Sequence, residues 1–199
     1  MKYELTTNSI FRLGRTLYQI KALVSFGDIE KGDLGGYIEK EGNLNQDGDA
    51  WVSGNAWVSG NALVYGDAWV SGNALVYGNA LVYGNARVYG NARVSGNALV
   101  SGDAWVSGDA WVSGNALVYG DAWVSGNASE TPIHISGLPY IITITDTQIR
   151  IGCQIHAINE WEMFTDLEIE AMDGKDAISF WIENKEVIMS LANNHKVEK

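Results

Sequence analysis

Residues 49–66 read DAWVSG NAWVSG NALVYG, and the same six-residue sentence continues to residue 127 as Asn/Asp-Ala-x-Val-Ser/Tyr-Gly. Thirteen valines recur without a miss from Val52 to Val124, and alanine keeps its own column from Ala50 to Ala128. Alternate residues of a strand face the same side, so Ala and the Val two positions later point inward together. The residue between them and the Ser or Tyr after Val must then point outward. Gly and Asn/Asp fall at the corners, where a positive φ is often required and these residue types tolerate it best.

Sorted at a period of eighteen, the outward positions separate into three unlike columns. The first holds Trp51, Trp69, Arg87, Trp105 and Trp123, and the second Trp57, Leu75, Arg93 and Trp111. The third is all leucine: Leu63, Leu81, Leu99 and Leu117. The corner residues agree, because Asp49, Asp67, Asp103 and Asp121 precede the first column while asparagines precede the third. A plain six-residue repeat has no reason to keep such columns, so each coil is expected to have three sides. The unit resembles the hexapeptide repeat of left-handed parallel β-helices, in which three hexads make one triangular coil. That resemblance implies a mainly β fold of left-handed sense.

The repeat divides the chain into three parts: a cap with an irregular first coil over 1–48, the β-helix over 49–128, and a small α+β domain over 129–199. A solenoid ends in open sheet edges, so caps are expected at both ends. Gly36-Tyr37-Ile38 and Gly42-Asn43-Leu44 read as irregular hexads with Ile38 and Leu44 in the alanine column. Before them, residues 11–26 read as strands with a turn at Gly14. After Asn127, Thr131-Pro132 breaks the solenoid. Residues 140–145 and 148–153 read as a hairpin around Asp146-Thr147. Asn159 to Glu162 and Thr165 to Glu168 carry capping-box patterns that start short helices. Asp173-Gly174 ends the second, and residues 176–192 form a further helix with Ala177, Ile178, Trp181, Ile188 and Leu191 on one side.

Composition narrows the function classes. Residues 1–25 lack the pattern of a signal peptide, because Lys21 interrupts the apolar stretch, and no apolar run approaches a membrane span. The single cysteine, Cys153, excludes an internal disulfide framework, and the expectation is a cytoplasmic protein with no membrane partner. The net charge of −11 divides as −1, −3 and −7 over the three parts. No cationic stripe exists to follow a phosphate backbone, so a DNA or RNA duplex is not an expected partner.

The expected catalytic, metal and cofactor sites are none. The hexapeptide-repeat resemblance implies acyltransferases with a histidine base, or a carbonic anhydrase class with three zinc-binding histidines. Neither role transfers, because the coils contain no histidine: His134, His156 and His195 all follow them. A pair of histidines lacks the third ligand of a catalytic zinc site. Cys153, in a strand pattern after Ile151 and Gly152, reads as a small buried residue. The corner Asn/Asp residues are too sparse in oxygen to enclose calcium and read as corner geometry.

What remains is the outer surface. Every coil tryptophan is followed two residues later by serine, while Leu63, Leu81 and Leu117 are followed by Tyr65, Tyr83 and Tyr119. Rings stacked between coils explain part of this pattern. Faces so poor in charge also suggest association, and the leucine column with those tyrosines is the expected self-association surface of a dimer or trimer. Arg87 and Arg93 are the only cations of the coils. With Tyr89, Trp69, Trp105 and Trp111 they read either as a cation–π rung or as a partner site suited to a phosphate and a base, or to a carboxylate-bearing loop.

The run Gly32-Asp33-Leu34-Gly35-Gly36-Tyr37-Ile38 before the hexads, with Ile149 to Cys153 and Trp161 after them, resembles a class of small phage and prophage proteins. The resemblance spans most of the chain and implies an accessory protein in the cytoplasm of a host bacterium, with no catalytic residues attached. Two functions compete on this reading. One is a rigid binding protein that inhibits or sequesters a host immune protein or its nucleotide signal, and the other is a structural spacer. An acyltransferase is the third and weakest alternative.

Overall fold

The computed structural model describes residues 1–195. Its centre is a parallel β-solenoid of about five turns. Strands β1 (Tyr3–Arg12), β2 (Arg15–Ala22) and β3 (Leu34–Ile38) lead into thirteen two-residue strands, from β4 (Trp51–Val52) to β16 (Trp123–Val124). Every third strand pairs in parallel, so Trp51 lies on Trp69, Trp57 on Leu75 and Leu63 on Leu81. The three columns of outward residues are therefore three separate sheets. Face one carries the Trp51 column, face two the Trp57 column and face three the leucines.

The inward rows are valine and alanine, as the alternation requires. All thirteen coil valines are fully buried, and the alanines stack beside them. Branching at Cβ favours an extended backbone, and each Val meets the Val of the next coil about 4.8 Å away. The corner glycine is needed for two reasons that Gly78 illustrates. Its φ is +76°, and an added Cβ would lie 3.0 Å from the backbone N and O of Gly96 in the next coil.

The ladder between coils has a direction, and that direction sets the chemistry of the caps. In a typical hexad three N–H groups donate to carbonyls one coil later, as in Trp51 N to Ala68 O and Leu99 N to Ala116 O. The parallel register turns the valine-column N–H one coil back, as Ala128 N donates to Trp111 O. The first coil is thus left with an excess of unpaired carbonyls and the last with an excess of unpaired N–H groups. At the start, donors arrive: Lys2 Nζ reaches Gly48 O and Ala50 O, and Asn43 Nδ2 reaches Gly60 O and Ala62 O. At the end, acceptors arrive: Ala128 O receives Ser113 N, and Thr131 Oγ1 receives Leu117 N.

The N-terminal cap is an antiparallel hairpin that extends face two. Arg12 pairs with Arg15 around Leu13-Gly14, both at positive φ, which suits a two-residue hairpin turn. Strand β3 then pairs with β5 (Trp57–Val58) in parallel, Tyr37 opposite Trp57 and Ile38 opposite Val58, and Leu44 bridges Val64. Ile38 and Leu44 therefore occupy the valine column rather than the alanine column expected. Two extra residues between Leu44 and Val52 hide this register from a strict six-residue count. Gly36 takes the alanine place, where an added Cβ would meet Ala56 O at 2.5 Å. The cap also covers the first tryptophans: Trp51, packed edge-on to Tyr3 and Phe26, and Trp57 are outward in the repeat but buried.

The C-terminal part is a four-stranded antiparallel sheet with two helices. Strands β17 (Ile133–Ile135), β18 (Ile142–Ile144), β19 (Gln148–Ile151) and β20 (Gln154–Ala157) pair in sequence order. The expected hairpin is its central pair, and two short strands flank it. Helix α1 (Ile158–Met163) is capped at Ala157, two residues before the expected cap Asn159, with Ala157 N donating to Glu160 Oε2 at 2.8 Å. Thr165 caps α2 (Asp166–His195) as expected, and Asp173-Gly174 leaves helical geometry, which divides α2 into two helices at the expected break. Cys153 is exposed in the turn between β19 and β20, contrary to the buried strand position expected. The strand had already ended at Ile151, because Gly152 turns at φ +57°.

Candidate binding surface

The tryptophan–serine pattern has a local cause. The indole N–H does not reach the serine of its own hexad but that of the preceding coil. Trp69 Nε1 donates to Ser53 Oγ at 3.1 Å, Trp111 to Ser95 at 3.2 Å and Trp123 to Ser107 at 2.9 Å. Trp105 breaks the series, because the residue below it is Tyr89. The two rings meet edge-to-face at 6.0 Å, and the indole N–H has no acceptor among the described residues.

Face one is thereby a mixed ladder. Trp69 and Trp105 flank Arg87 in register, and the Arg87 guanidinium lies 5.9 Å from the Trp105 ring centre. Trp105 leans on Trp123 at 5.3 Å, and Arg150 of the C-terminal sheet lies 3.6 Å over Trp123. Arg87 is exposed and has no carboxylate within ion-pair distance among the described residues. Burial holds the Arg150 guanidinium below its ordinary pKa, with Cys153 and Tyr89 acting in the opposite sense. It stays cationic at neutral pH.

Arg93 belongs to another face. It stacks in register between Leu75 and Trp111 on face two, so the two arginines leave the prism from different sheets. They do not form one guanidinium pair, since successive hexads turn a corner between them. Trp69, Arg87, Tyr89 and Trp105 come together; Arg93 and Trp111 form a separate patch.

Face three is only partly open. Leu63, Leu81 and Leu99 are half-buried, and Tyr65 stacks on Tyr83 at 4.8 Å with nearly parallel planes. Burial and the neighbouring Tyr83 raise the Tyr65 pKa. Ser101 interrupts the tyrosine column, and beyond it Leu117 and Tyr119 are 42% and 52% exposed. Trp105 and Trp111, at 39% and 45%, belong to the same turn. The open apolar surface of the coils is concentrated in that one turn, on all three faces.

Arg150 is the residue that sequence reasoning passed over. Its signal was present, since Ile149 and Ile151 on either side mark the buried face and send the arginine to the opposite one. What it would meet there depends on how the tail docks.

No helix among the described residues is long and apolar enough to cross a membrane. Segments 56–72, 68–84, 74–90, 80–94, 92–108 and 110–128 match the family described as YdcK beta solenoid repeat. The likeness lies wholly within the coils. A search of curated proteins finds no match to the chain.

Proposed function

We propose that this β-solenoid repeat protein is a non-catalytic binding protein, a rigid oligomer that inhibits or sequesters a host component such as a bacterial immune protein or its nucleotide signal. The observation that carries the reading is Arg87, an exposed guanidinium with no acidic partner among the described residues, set beside the 39%-exposed Trp105. A cation next to an open indole face suits a ring plus an anionic group, which a nucleotide or an acidic aromatic loop supplies. Leu117 and Tyr119 on face three are the surface for self-association, and their exposure supports that use. The host setting rests on the resemblance of head and tail to phage proteins.

Native mass spectrometry of the protein taken from bacterial lysate tests this. The expected spectrum is a dimer or trimer carrying an added mass, and Arg87→Ala loses that mass while keeping the oligomer. Arg93→Ala, on the other face, is the control that retains it. A bare chain whose spectrum is unchanged by Arg87→Ala would leave a spacer, the reading favoured by the near-identity of the coils.

A further inference from the structure

The C-terminal sheet contains a row of side chains that its helices do not use. Ile133-His134-Ile135, Ile142-Thr143-Ile144 and Ile149-Arg150-Ile151 each set one polar residue between two isoleucines. Alternation sends the isoleucines to one face of the sheet and the polar residues to the other. The register aligns them, with His134 opposite Thr143 and Thr143 opposite Arg150. The isoleucines pack with Trp161 and Trp181 under the helices. The polar row turns to the solenoid's last hexads, where Arg150 lies over Trp123 and His134 Nε2 stands 4.0 Å from Asp121 Oδ1.

As it stands this row is unsatisfied. Thr143 is 1% exposed and its Oγ1 has no hydrogen-bond partner among the described residues. The His134 side chain is 11% exposed, and its buried Nδ1 has none among them either. Arg150 Nε donates to Gly152 O at 2.6 Å, while its two terminal nitrogens have no acceptor among the described residues. Buried polar atoms are nearly always paired, so two orphans beside a half-used guanidinium point to a missing partner. A cleft of about 320 Å³ lies against Thr143 and Arg150, bounded also by Pro139, Tyr140, Ile141, Gly152 and Asp121, with His134 next to Thr143 in the sheet but outside the lining. That volume is at the small end of ligand sites.

We propose that this cleft binds a small molecule through an oxyanion, a carboxylate or a phosphate ester. The terminal N–H groups of Arg150 and the hydroxyl of Thr143 donate to it, with His134 beside them. A guanidinium presents parallel N–H groups that match two oxygens of such a group, and the Trp123 ring beneath holds its plane. Pro139 and Ile141 supply an apolar wall for the rest of the ligand. The Asp121 carboxylate at the cleft's edge disfavours a ligand with a second negative charge on that side. The site is separate from the Arg87 surface, and neither proposal depends on the other.

Nuclear magnetic resonance titration of the full chain at constant ionic strength tests it, with sodium acetate in one arm and inorganic phosphate in the other. Saturable shifts of the Thr143 and Arg150 amides and the His134 ring are expected in at least one arm. Saturation by acetate alone assigns a carboxylate, and by phosphate alone a phosphate ester. Thr143→Val keeps the side chain's shape and loses only the hydroxyl, so it binds about tenfold more weakly. Without ligand the same variant melts at a higher temperature, because an orphaned buried hydroxyl is gone. Arg150→Gln abolishes saturation. Shifts that only rise linearly with salt in both arms, or saturation unchanged in Thr143→Val, overturn the proposal.

Discussion

An asparagine side chain both donates and accepts, whereas an ionised aspartate only accepts. The corners of this solenoid use that difference. Asn55 donates to Asn73, Asn73 to Asn91 and Asn91 to Asp109, each Nδ2 to the Oδ1 one coil later. The third corner runs unbroken from Asn61 through Asn79 and Asn97 to Asn115. Aspartate accepts where the residue one coil earlier supplies an N–H, as Asp103 accepts from Asn85 and Asp67 from the backbone of Asp49, whereas Asp121 follows Asp103 and has His134 Nε2 4.0 Å away instead. Asn91→Asp would remove a donor and set two carboxylates side by side. The expected loss at pH 7 is about 0.5–1.5 kcal/mol for an exposed pair. Repulsion raises the new carboxyl's pKa in the folded state, so the loss is present at neutral pH and shrinks as pH falls. Urea melts at pH 7 and pH 4 check this, and an equal loss at both would refute the ladder.

At the scale of elements, the N-terminal hairpin is tied to the first full coil by Glu39. Its Oε2 accepts from Gly60 N at 2.6 Å, and Arg15 of β2 pairs with the same carboxylate at 2.7 Å. The Gly60 hydrogen bond, aided by Arg15, holds the Glu39 carboxyl below its ordinary pKa. A depressed carboxyl contributes stability that is complete above the unfolded-state pKa and is lost as pH falls through the folded one. Glu39→Gln is expected to cost about 1 kcal/mol at pH 7. The variant should also lose less stability than the parent between about pH 5 and pH 3, where a free glutamate titrates. Parallel acid-unfolding curves for the two proteins would remove Glu39 from that role.

For the whole molecule, the period is the organising quantity. Deleting residues 67–84 removes one complete coil, so the inward Val and Ala rows and the corner glycines meet the partner type they met before, while Trp51 and Trp57 on the outside then meet Arg87 and Arg93. This variant is expected to fold with a lower urea slope, in proportion to the surface it no longer buries. Deleting residues 67–83 removes one residue fewer and slips the register of everything that follows. A slip of one residue turns every inward side chain outward, so the valines would face water and the fold should be lost. Circular dichroism and urea titration distinguish the two. Equal stability of both deletions would contradict the inward valine rows. The ladder's direction adds a second whole-molecule property. One end offers mainly carbonyls and the other mainly N–H groups, so Lys2, Asn43 and Thr131 also separate surfaces that would otherwise join chain to chain.

The residues of the coils by themselves determined the solenoid, its three faces and the inward Val and Ala rows. Each of these follows from a local alternation of two and a corner every six residues, which any short window of the chain displays. The head was harder to read, since two inserted residues moved Ile38 and Leu44 from the alanine column to the valine column, and only pairing with Val58 and Val64 shows it. The candidate sites needed the tertiary structure. Arg87 and Arg93 are six residues apart in a nearly repeated sentence, yet a corner puts them on different faces, while Arg150 reaches Trp123 from another sheet. Which side chains converge depends on contacts between residues distant in sequence, and periodicity carries no information about those.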